Sequence, residues 1–113
     1  MLSPLLIDHF QNPRNVGELP PPAVTVSVSN PVCGDELLLS VLFENGQVVD
    51  VRYKVRGCTA SIAAGSALTE LLLLKPTGTV TAGEIESAVG GLSSASKHAA
   101  ALCMDAVNKL PAG

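Results

Sequence analysis

The sequence predicts an α+β fold, a three-stranded antiparallel sheet with helices packed on one face. Apolar and polar residues alternate with a period of two over much of the chain up to about residue 56, which is typical of half-buried strands. An Asn45-Gly46 pair interrupts this alternation, as expected of a tight hairpin turn. Beyond Gly57-Cys58 the apolar residues take helical spacings. Strands that precede helices along the chain favour this fold class.

Three segments carry the strand pattern. Valines alternate with threonine or serine over residues 24–29, and residues 37–43 form a second, more apolar strand. The third segment, residues 49–56, alternates apolar residues with Asp, Arg and Lys. Because one face of this strand is apolar and the other charged, we expect an antiparallel sheet that is covered on a single side.

The remaining elements are predicted to be helices. Ser3 caps a short helix that has proline at its first position and runs to about residue 10. A second helix follows Cys58 and ends near residue 76. A capping box from Thr81 to Glu84 opens a short third helix. The last helix is expected to begin among residues 93–96 and to continue to about residue 110.

A chain of 113 residues is expected to form one domain, 1–113, which is large enough to bury a core without disulfides. Residues 1–22 contribute the first helix and then an irregular, proline-containing stretch. We expect that stretch to be either a mobile arm or a segment that orders on a partner.

Composition excludes several classes of function. Seven basic against ten acidic residues give a net charge of −3, so nucleic acid is not an expected partner. No apolar run approaches the ~18 residues that span a bilayer, and the N-terminus lacks the basic region of a signal peptide. We therefore expect a cytoplasmic protein with no membrane association. In that compartment three cysteines favour metal or thiolate chemistry over disulfides.

Four residues have the chemistry of a metal site. Cys33 and Asp35 are two residues apart in a segment that enters a strand, so their side chains project the same way if the segment is extended. Cys58 lies where a helix begins, and the free N–H groups there favour a thiolate. With His98 near the start of the last helix, these groups are about the minimum for a tetrahedral site.

The cysteines and the histidine also have plain structural explanations. Free cysteines are commonly small buried apolar residues, which would account for Cys33 and Cys58. A histidine in the first turns of an alanine-rich helix, such as His98, is usually a surface residue. Cys103 lies between Leu102 and Met104 in the same helix and is most simply a core residue.

A group of segments, in a fixed order, carries a more specific signal. The segments are His9-Phe10-Gln11-Asn12-Pro13-Arg14-Asn15-Val16-Gly17, Asn30-Pro31-Val32-Cys33-Gly34-Asp35, Gly57-Cys58-Thr59-Ala60-Ser61-Ile62-Ala63, Gly90-Gly91-Leu92 and Lys97-His98. In order and spacing they resemble the NifU/IscU family of iron–sulfur cluster assembly scaffolds, and the similarity covers nearly the whole chain. The family fold is also an α+β arrangement.

The resemblance implies a protein on which a transient 2Fe–2S cluster is built and then passed to iron–sulfur acceptor proteins. A pyridoxal-phosphate cysteine desulfurase would supply the sulfur. Cys33, Cys58 and His98 map onto ligands of the cluster or metal. Asp35 maps onto an acid that keeps the cluster labile, because a carboxylate is a poorer partner for a sulfide cluster than a thiolate. Zinc or ferrous iron are alternative occupants of the same four residues.

The sequence departs from the family pattern at two places. The family has His-Cys where this chain has His98-Ala99, so the usual third cysteine ligand is missing. Cys103 follows about one helical turn later and is a candidate additional thiol, although the register of Asp105-Ala106 puts it at a packed position. Residues 93–96 also differ from the Pro-Pro-Val segment that a dedicated chaperone recognises in the family.

These observations lead to the hypothesis of a scaffold or carrier with a reduced ligand set, Cys33, Asp35, Cys58 and His98. An alternative is a divergent metal-binding paralogue that regulates or docks a cysteine desulfurase without assembling clusters. A third is a sulfur relay to a non-cluster acceptor with zinc positioning the thiols. None of these roles is an enzyme activity in the strict sense, and a homodimer around a shared cluster is left open.

Overall fold

The structure is a computed structural model, and it describes residues 3–31 and 34–111. The strands of its one sheet follow each other in the order β1-β2-β3, and both neighbouring pairs are antiparallel. The strands are β1 (Val24–Asn30), β2 (Asp35–Glu44) and β3 (Gln47–Arg56), and the α-helices are α1 (Pro4–Gln11), α2 (Thr59–Leu74), α3 (Ala82–Ala88) and α4 (His98–Asn108). The predicted fold class is therefore confirmed.

Local sequence signals explain most of the element boundaries. The Ser3 side chain accepts a hydrogen bond from the Leu6 amide, and Thr81 and Glu84 form the reciprocal capping box that the sequence predicts. The last helix is the exception, because a short 3-10 turn occupies Ser94–Ser96 and α4 begins only at His98. The predicted start among residues 93–96 was thus too early, and His98 is the first residue of the helix.

One face of the sheet carries α2 and α4, and the main core lies between them. The side chains in the middle of β2 and β3 that point to this face are almost fully excluded from solvent, and Phe43 and Val55 nearer the strand ends are partly buried. In the described part of the chain the core includes Leu37, Leu39, Val41, Val51, Tyr53, Leu68, Leu72, Leu102 and Cys103. The alternating pattern predicted for the third strand is confirmed in its second half, since Val51 and Tyr53 are buried and Lys54 is exposed. Val49 does not follow it and is 44% exposed, because the register of β2 and β3 shifts between Leu42 and Phe43 and Val48 packs against the core.

Helix α2 approaches β3 very closely at Gly65. A Cβ atom at this position would lie 2.6 Å from Cε2 of Tyr53, which is shorter than any ordinary contact. The Tyr53 hydroxyl donates a 2.8 Å hydrogen bond to the Ile62 carbonyl on the same helix. Burial raises the pKa of Tyr53 to about 12, so the phenol remains a donor. Together these contacts fix the position of α2 along β3, and with it the position of Cys58 at the start of the helix.

The segment that follows α1 lies along the outer edge of β3. The Tyr53 amide donates to the Asn15 carbonyl at 2.8 Å, and the Gly17 amide donates to the Tyr53 carbonyl at 2.9 Å. The Arg14 amide also donates to the Ser66 hydroxyl of α2 at 3.0 Å. The sequence predicted a mobile arm or a segment that orders on a partner. In the structure this part of it is instead held by hydrogen bonds to β3 and α2.

His9, to which the sequence assigned no role, joins α1 to this arrangement. It is buried, and its Nδ1 accepts from Nη1 of Arg14 at 3.1 Å and lies 2.8 Å from the Ser66 hydroxyl. Its Nε2 lies 3.6 Å from a carboxylate oxygen of Glu70. Burial and the nearby Arg14 guanidinium hold the pKa of His9 below its ordinary value of 6.5. The imidazole is therefore a neutral acceptor between two helices.

No helix within the described ranges combines the length and apolarity needed to cross a bilayer.

We predict that Gly65→Ala destabilises the fold. Alanine is the better helix former by ~1 kcal/mol, but the added methyl group meets a ring that is fixed by burial and by its hydroxyl, and overpacking of this kind costs ~1–3 kcal/mol. Urea denaturation should show a net loss of free energy of unfolding. Gly78→Ala is the matched control, because a Cβ atom there meets nothing within 4 Å. Equal stability of the two variants would contradict the close-packing explanation.

We also predict a pH-dependent loss of stability that depends on His9. Since its pKa is lowered in the folded state, the unfolded chain binds more protons than the folded chain once the pH falls below about 6.5, and stability decreases there. Denaturation between about pH 7 and 5 should show this decrease in the wild type. His9→Asn keeps an acceptor near the Nδ1 position but does not titrate, so it should flatten the profile. An unchanged profile in this variant would assign the decrease to another group.

Candidate metal centre

Three residues at the starts of β2, α2 and α4 come together at one end of the sheet. Asp35 is the first residue of β2, Cys58 is the N-cap residue of α2, and His98 is the first residue of α4. Their potential ligand atoms, a carboxylate oxygen, a thiol sulfur and an imidazole nitrogen, all lie within 4.8 Å of one another. The structure therefore brings together three of the residues that the sequence singled out.

The three ligand atoms form a nearly equilateral triangle. Sγ of Cys58 lies 3.2 Å from Oδ2 of Asp35 and 3.3 Å from Nε2 of His98, and the nitrogen and oxygen are 3.3 Å apart. Bond lengths of about 2.0–2.3 Å around a tetrahedral ion place neighbouring ligand atoms roughly 3.3–3.7 Å apart. The triangle thus has nearly the size of one face of a tetrahedral zinc or ferrous site, so these residues fit such an ion with little movement.

The Asp35 carboxylate is the buried member of the group, with 3% of its surface exposed. Its Oδ1 accepts from the Cys58 amide at 3.3 Å, and its Oδ2 accepts from the Ser61 hydroxyl at 2.6 Å. Burial by itself raises the pKa of Asp35, but the hydrogen bonds from Ser61 and Cys58 and the nearby His98 outweigh it and leave the pKa below its ordinary value of 3.8. The group is therefore a carboxylate at neutral pH and can act as a ligand.

Gly57 leaves the space that this carboxylate needs. A Cβ atom at Gly57 would lie 2.5 Å from Cγ of Asp35, so any larger residue would displace the carboxylate. The carboxylate then places its negative charge at the N-terminus of α2, where the Cys58 side chain makes no capping hydrogen bond. The Cys58 sulfur is consequently free to face Asp35 and His98, and Cys58 is exposed to solvent.

His98 is oriented by its own backbone environment. Its Nδ1 lies 3.0 Å from the Ala95 carbonyl oxygen, which can only accept, so Nδ1 carries the proton when the ring is neutral. The Nε2 lone pair then points to Cys58 and Asp35. This arrangement, with one ring nitrogen bound to a carbonyl and the other facing the ligands, is typical of metal-binding histidines.

The other two cysteines, Cys33 and Cys103, are not among the three residues that the structure brings together. Cys33 lies outside the described residues, so its role as a ligand stays a prediction. Cys103 is 1% exposed within the core, and burial raises the pKa of its thiol to about 12. Ala99 is also fully buried. The burial of Cys103 argues against its suggested role as an additional ligand, and that role likewise stays a prediction.

Ser61 is the residue of this site to which the sequence analysis assigned no part. Its hydroxyl contacts Oδ2 of Asp35 and lies 3.4 Å from Sγ of Cys58, and only 1% of its surface is exposed. The available signal was its spacing, because a residue three positions after an N-cap cysteine lies over the same side of the first helical turn. A serine there is too common in helices to be singled out without the fold.

Comparisons with known proteins agree with this architecture. Residues 2–110 match the family model described as NifU-like N terminal domain. Iron-sulfur cluster assembly scaffold protein IscU 1 of Archaeoglobus fulgidus is 33% identical over 112 residues, which cover 96% of this chain and 73% of the relative. Iron-sulfur cluster assembly scaffold protein IscU of Aquifex aeolicus is 44% identical over 73 residues, which cover 63% of this chain and 46% of the relative.

A solved structure supports the same assignment at the level of the fold. The crystal structure of a nitrogen-fixing NifU-like protein (N-terminal) from Brucella abortus superposes with a TM-score of 0.58 and 18% identity, covering 93% of this chain and 76% of that one. At this identity the likeness concerns the fold alone. The family match over nearly the whole length, joined to the archaeal similarity, decides the assignment: the chain belongs to the NifU-like N-terminal domain family.

Proposed function

We propose that this chain is a scaffold or carrier for iron–sulfur cluster assembly. It would receive iron and sulfur, the latter from a cysteine desulfurase, and pass a transient 2Fe–2S cluster to acceptor proteins. The observation that carries the proposal is the triangle of Cys58, Asp35 and His98, which unites one soft, one hard and one intermediate ligand at a solvent-accessible edge of the fold. The scaffold names of the related proteins support it.

In this proposal the cluster is cargo, and the ligand set is suited to releasing it. Cys33 would supply a fourth ligand beside the three described ones, giving two ligands for each iron of a 2Fe–2S cluster. Asp35 is the weak member of the set, because a carboxylate binds an iron–sulfide cluster less well than a thiolate does. The same four residues suit a single zinc or ferrous ion. Sulfur acceptance would fall to Cys58 or Cys33, and the exposure of the Cys58 thiol supports Cys58.

A second candidate function is a divergent metal-binding module that regulates or docks a cysteine desulfurase without assembling clusters. The lack of an accessible thiol on α4 favours it, because residue 99 is an alanine and the Cys103 thiol is buried. Such a protein would retain the Asp35, Cys58 and His98 group for a structural metal ion. Its effect would be on the turnover of the desulfurase.

We predict that anaerobic reconstitution with ferrous iron, cysteine and a desulfurase yields a cluster that depends on Cys58. Visible absorption, Mössbauer spectra and iron and sulfide counts should identify a 2Fe–2S centre in the wild type, and transfer to an apo-ferredoxin should follow. Cys58→Ala should abolish cluster formation, because it removes the sulfur ligand of the triangle, and Cys33→Ala should do the same.

Cys103→Ala is the control for this experiment, since the thiol that it removes is buried in the core. It should bind the same amount of iron and sulfide as the wild type. An unchanged cluster yield in Cys58→Ala would contradict the ligand assignment. A cluster lost only in Cys103→Ala, with the variant still folded, would place the additional ligand at that residue instead.

The two candidate functions differ in what the protein gains from a desulfurase. We predict that incubation of the chain with an active desulfurase and cysteine transfers sulfane sulfur from the desulfurase persulfide to a thiol of the chain, where mass spectrometry under anaerobic conditions detects it as a persulfide. Desulfurase turnover is measured in the same samples. Altered turnover with no sulfur on the chain would replace the scaffold proposal with the regulatory one.

A further inference from the structure

Ser61 makes the shortest contact of the site. It lies in the first turn of α2, three residues after Cys58, and its hydroxyl donates to Oδ2 of Asp35 at 2.6 Å. That length is typical of a charge-assisted bond from a hydroxyl to a carboxylate. The acceptor atom is the same oxygen that faces Sγ of Cys58 and Nε2 of His98. Ser61 therefore acts on the one oxygen that an ion in the triangle would use.

The position of the carboxylate does not depend on this hydroxyl alone. Oδ1 of Asp35 is bound to the Cys58 amide, and the carboxylate lies directly against Gly57, whose missing side chain leaves it room. These two contacts restrain the carboxylate from the side opposite to Oδ2. Loss of the Ser61 hydroxyl should thus change the charge available on Oδ2 more than it changes the place of that atom.

We infer that Ser61 is a positioning residue that weakens Asp35 as a metal ligand and so shortens the residence time of the bound ion or cluster. This inference rests on the proposed function. The hydroxyl engages one lone pair of Oδ2 and draws electron density from it, which lowers the strength of any bond from that oxygen to a metal. A site that must release its cargo gains from such a contact, whereas a permanent structural site does not.

A purely supporting role for Ser61 predicts the opposite result. Hydrogen bonds that orient a ligand usually increase metal affinity, and their removal then weakens binding by about 10–100-fold. Removing a hydroxyl that withdraws charge should instead slow the release of metal. The direction of the change in release rate therefore separates the two roles of Ser61.

The experiment uses the full chain loaded with Zn²⁺ and measures transfer of the ion to an excess of a chromophoric chelator. Ser61→Ala should release zinc about tenfold more slowly than the wild type, the lower end of the effect of a hydrogen bond to a charged group. Ser61→Thr keeps a hydroxyl and should release zinc at nearly the wild-type rate. The d–d absorption of the Co²⁺-loaded proteins gives a second readout, because a stronger Asp35 ligand shifts these bands in Ser61→Ala only.

Ser66→Ala is the matched control, since it removes a buried hydroxyl from the same helix at a position that contacts His9 and Arg14 instead of the metal centre. Its release rate and Co²⁺ spectrum should equal those of the wild type. Release from Ser61→Ala that is equal to or faster than release from the wild type would overturn the inference and leave the proposed function standing. Zinc binding that persists unchanged in Cys58→Ala would instead remove the ligand assignment on which both depend.

Discussion

The hydrogen bond from the Cys58 amide to the buried Asp35 carboxylate is the contact on which the site depends. A carboxylate with so little exposed surface is costly unless donors surround it, and the start of α2 provides them. The same contact supplies the N-terminus of α2 with the negative charge that its own N-cap residue does not provide. One interaction thus joins the beginning of β2 to the beginning of α2 and satisfies a polar group in each.

This contact can form only because α2 is fixed along β3 with little freedom. The Gly65 backbone packs against the Tyr53 ring, and the Tyr53 hydroxyl donates to the Ile62 carbonyl. A shift of α2 along β3 by a fraction of an ångström would disturb one of these two contacts. The segment before β1 then pairs with Tyr53 on the outer edge of the strand. A single aromatic residue therefore connects the N-terminal segment, the sheet and the helix that presents Cys58.

The strands, the hairpin and the capping box could be predicted from the sequence because each depends on residues that are close together along the chain. The alternation of β3, the Asn45-Gly46 turn and the Thr81–Glu84 box are signals of this kind. The burial of His9 against Ser66 and the docking of Asn15 on Tyr53 depend on partners that are distant in sequence. No local pattern distinguishes them, which is why the sequence assigned His9 no role and allowed the following segment to be mobile.

The features of the candidate site also fall into those that the local sequence indicates and those that only the fold reveals. The candidate ligands Asp35, Cys58 and His98 could be singled out from their chemistry and from the resemblance, but their meeting at one point is a property of the fold. The spacing of Ser61 from Cys58 was too weak a signal to single it out, because its importance comes from an acceptor 26 residues earlier in the chain. The late start of α4 also matters here, since it leaves the Ala95 carbonyl free to orient the His98 ring.

Ala99, at the position where the family pattern predicts a cysteine, has a physical meaning within this arrangement. Ala99 and Cys103 both contribute to the core, so α4 presents an imidazole to the centre and keeps its small side chains for packing. A site with one thiolate fewer binds a soft iron–sulfide cargo less strongly. The hydroxyl of Ser61 on Asp35 acts in the same direction, because it withdraws charge from the hard ligand as well. Under the proposed function, both features favour a centre that holds its cargo briefly.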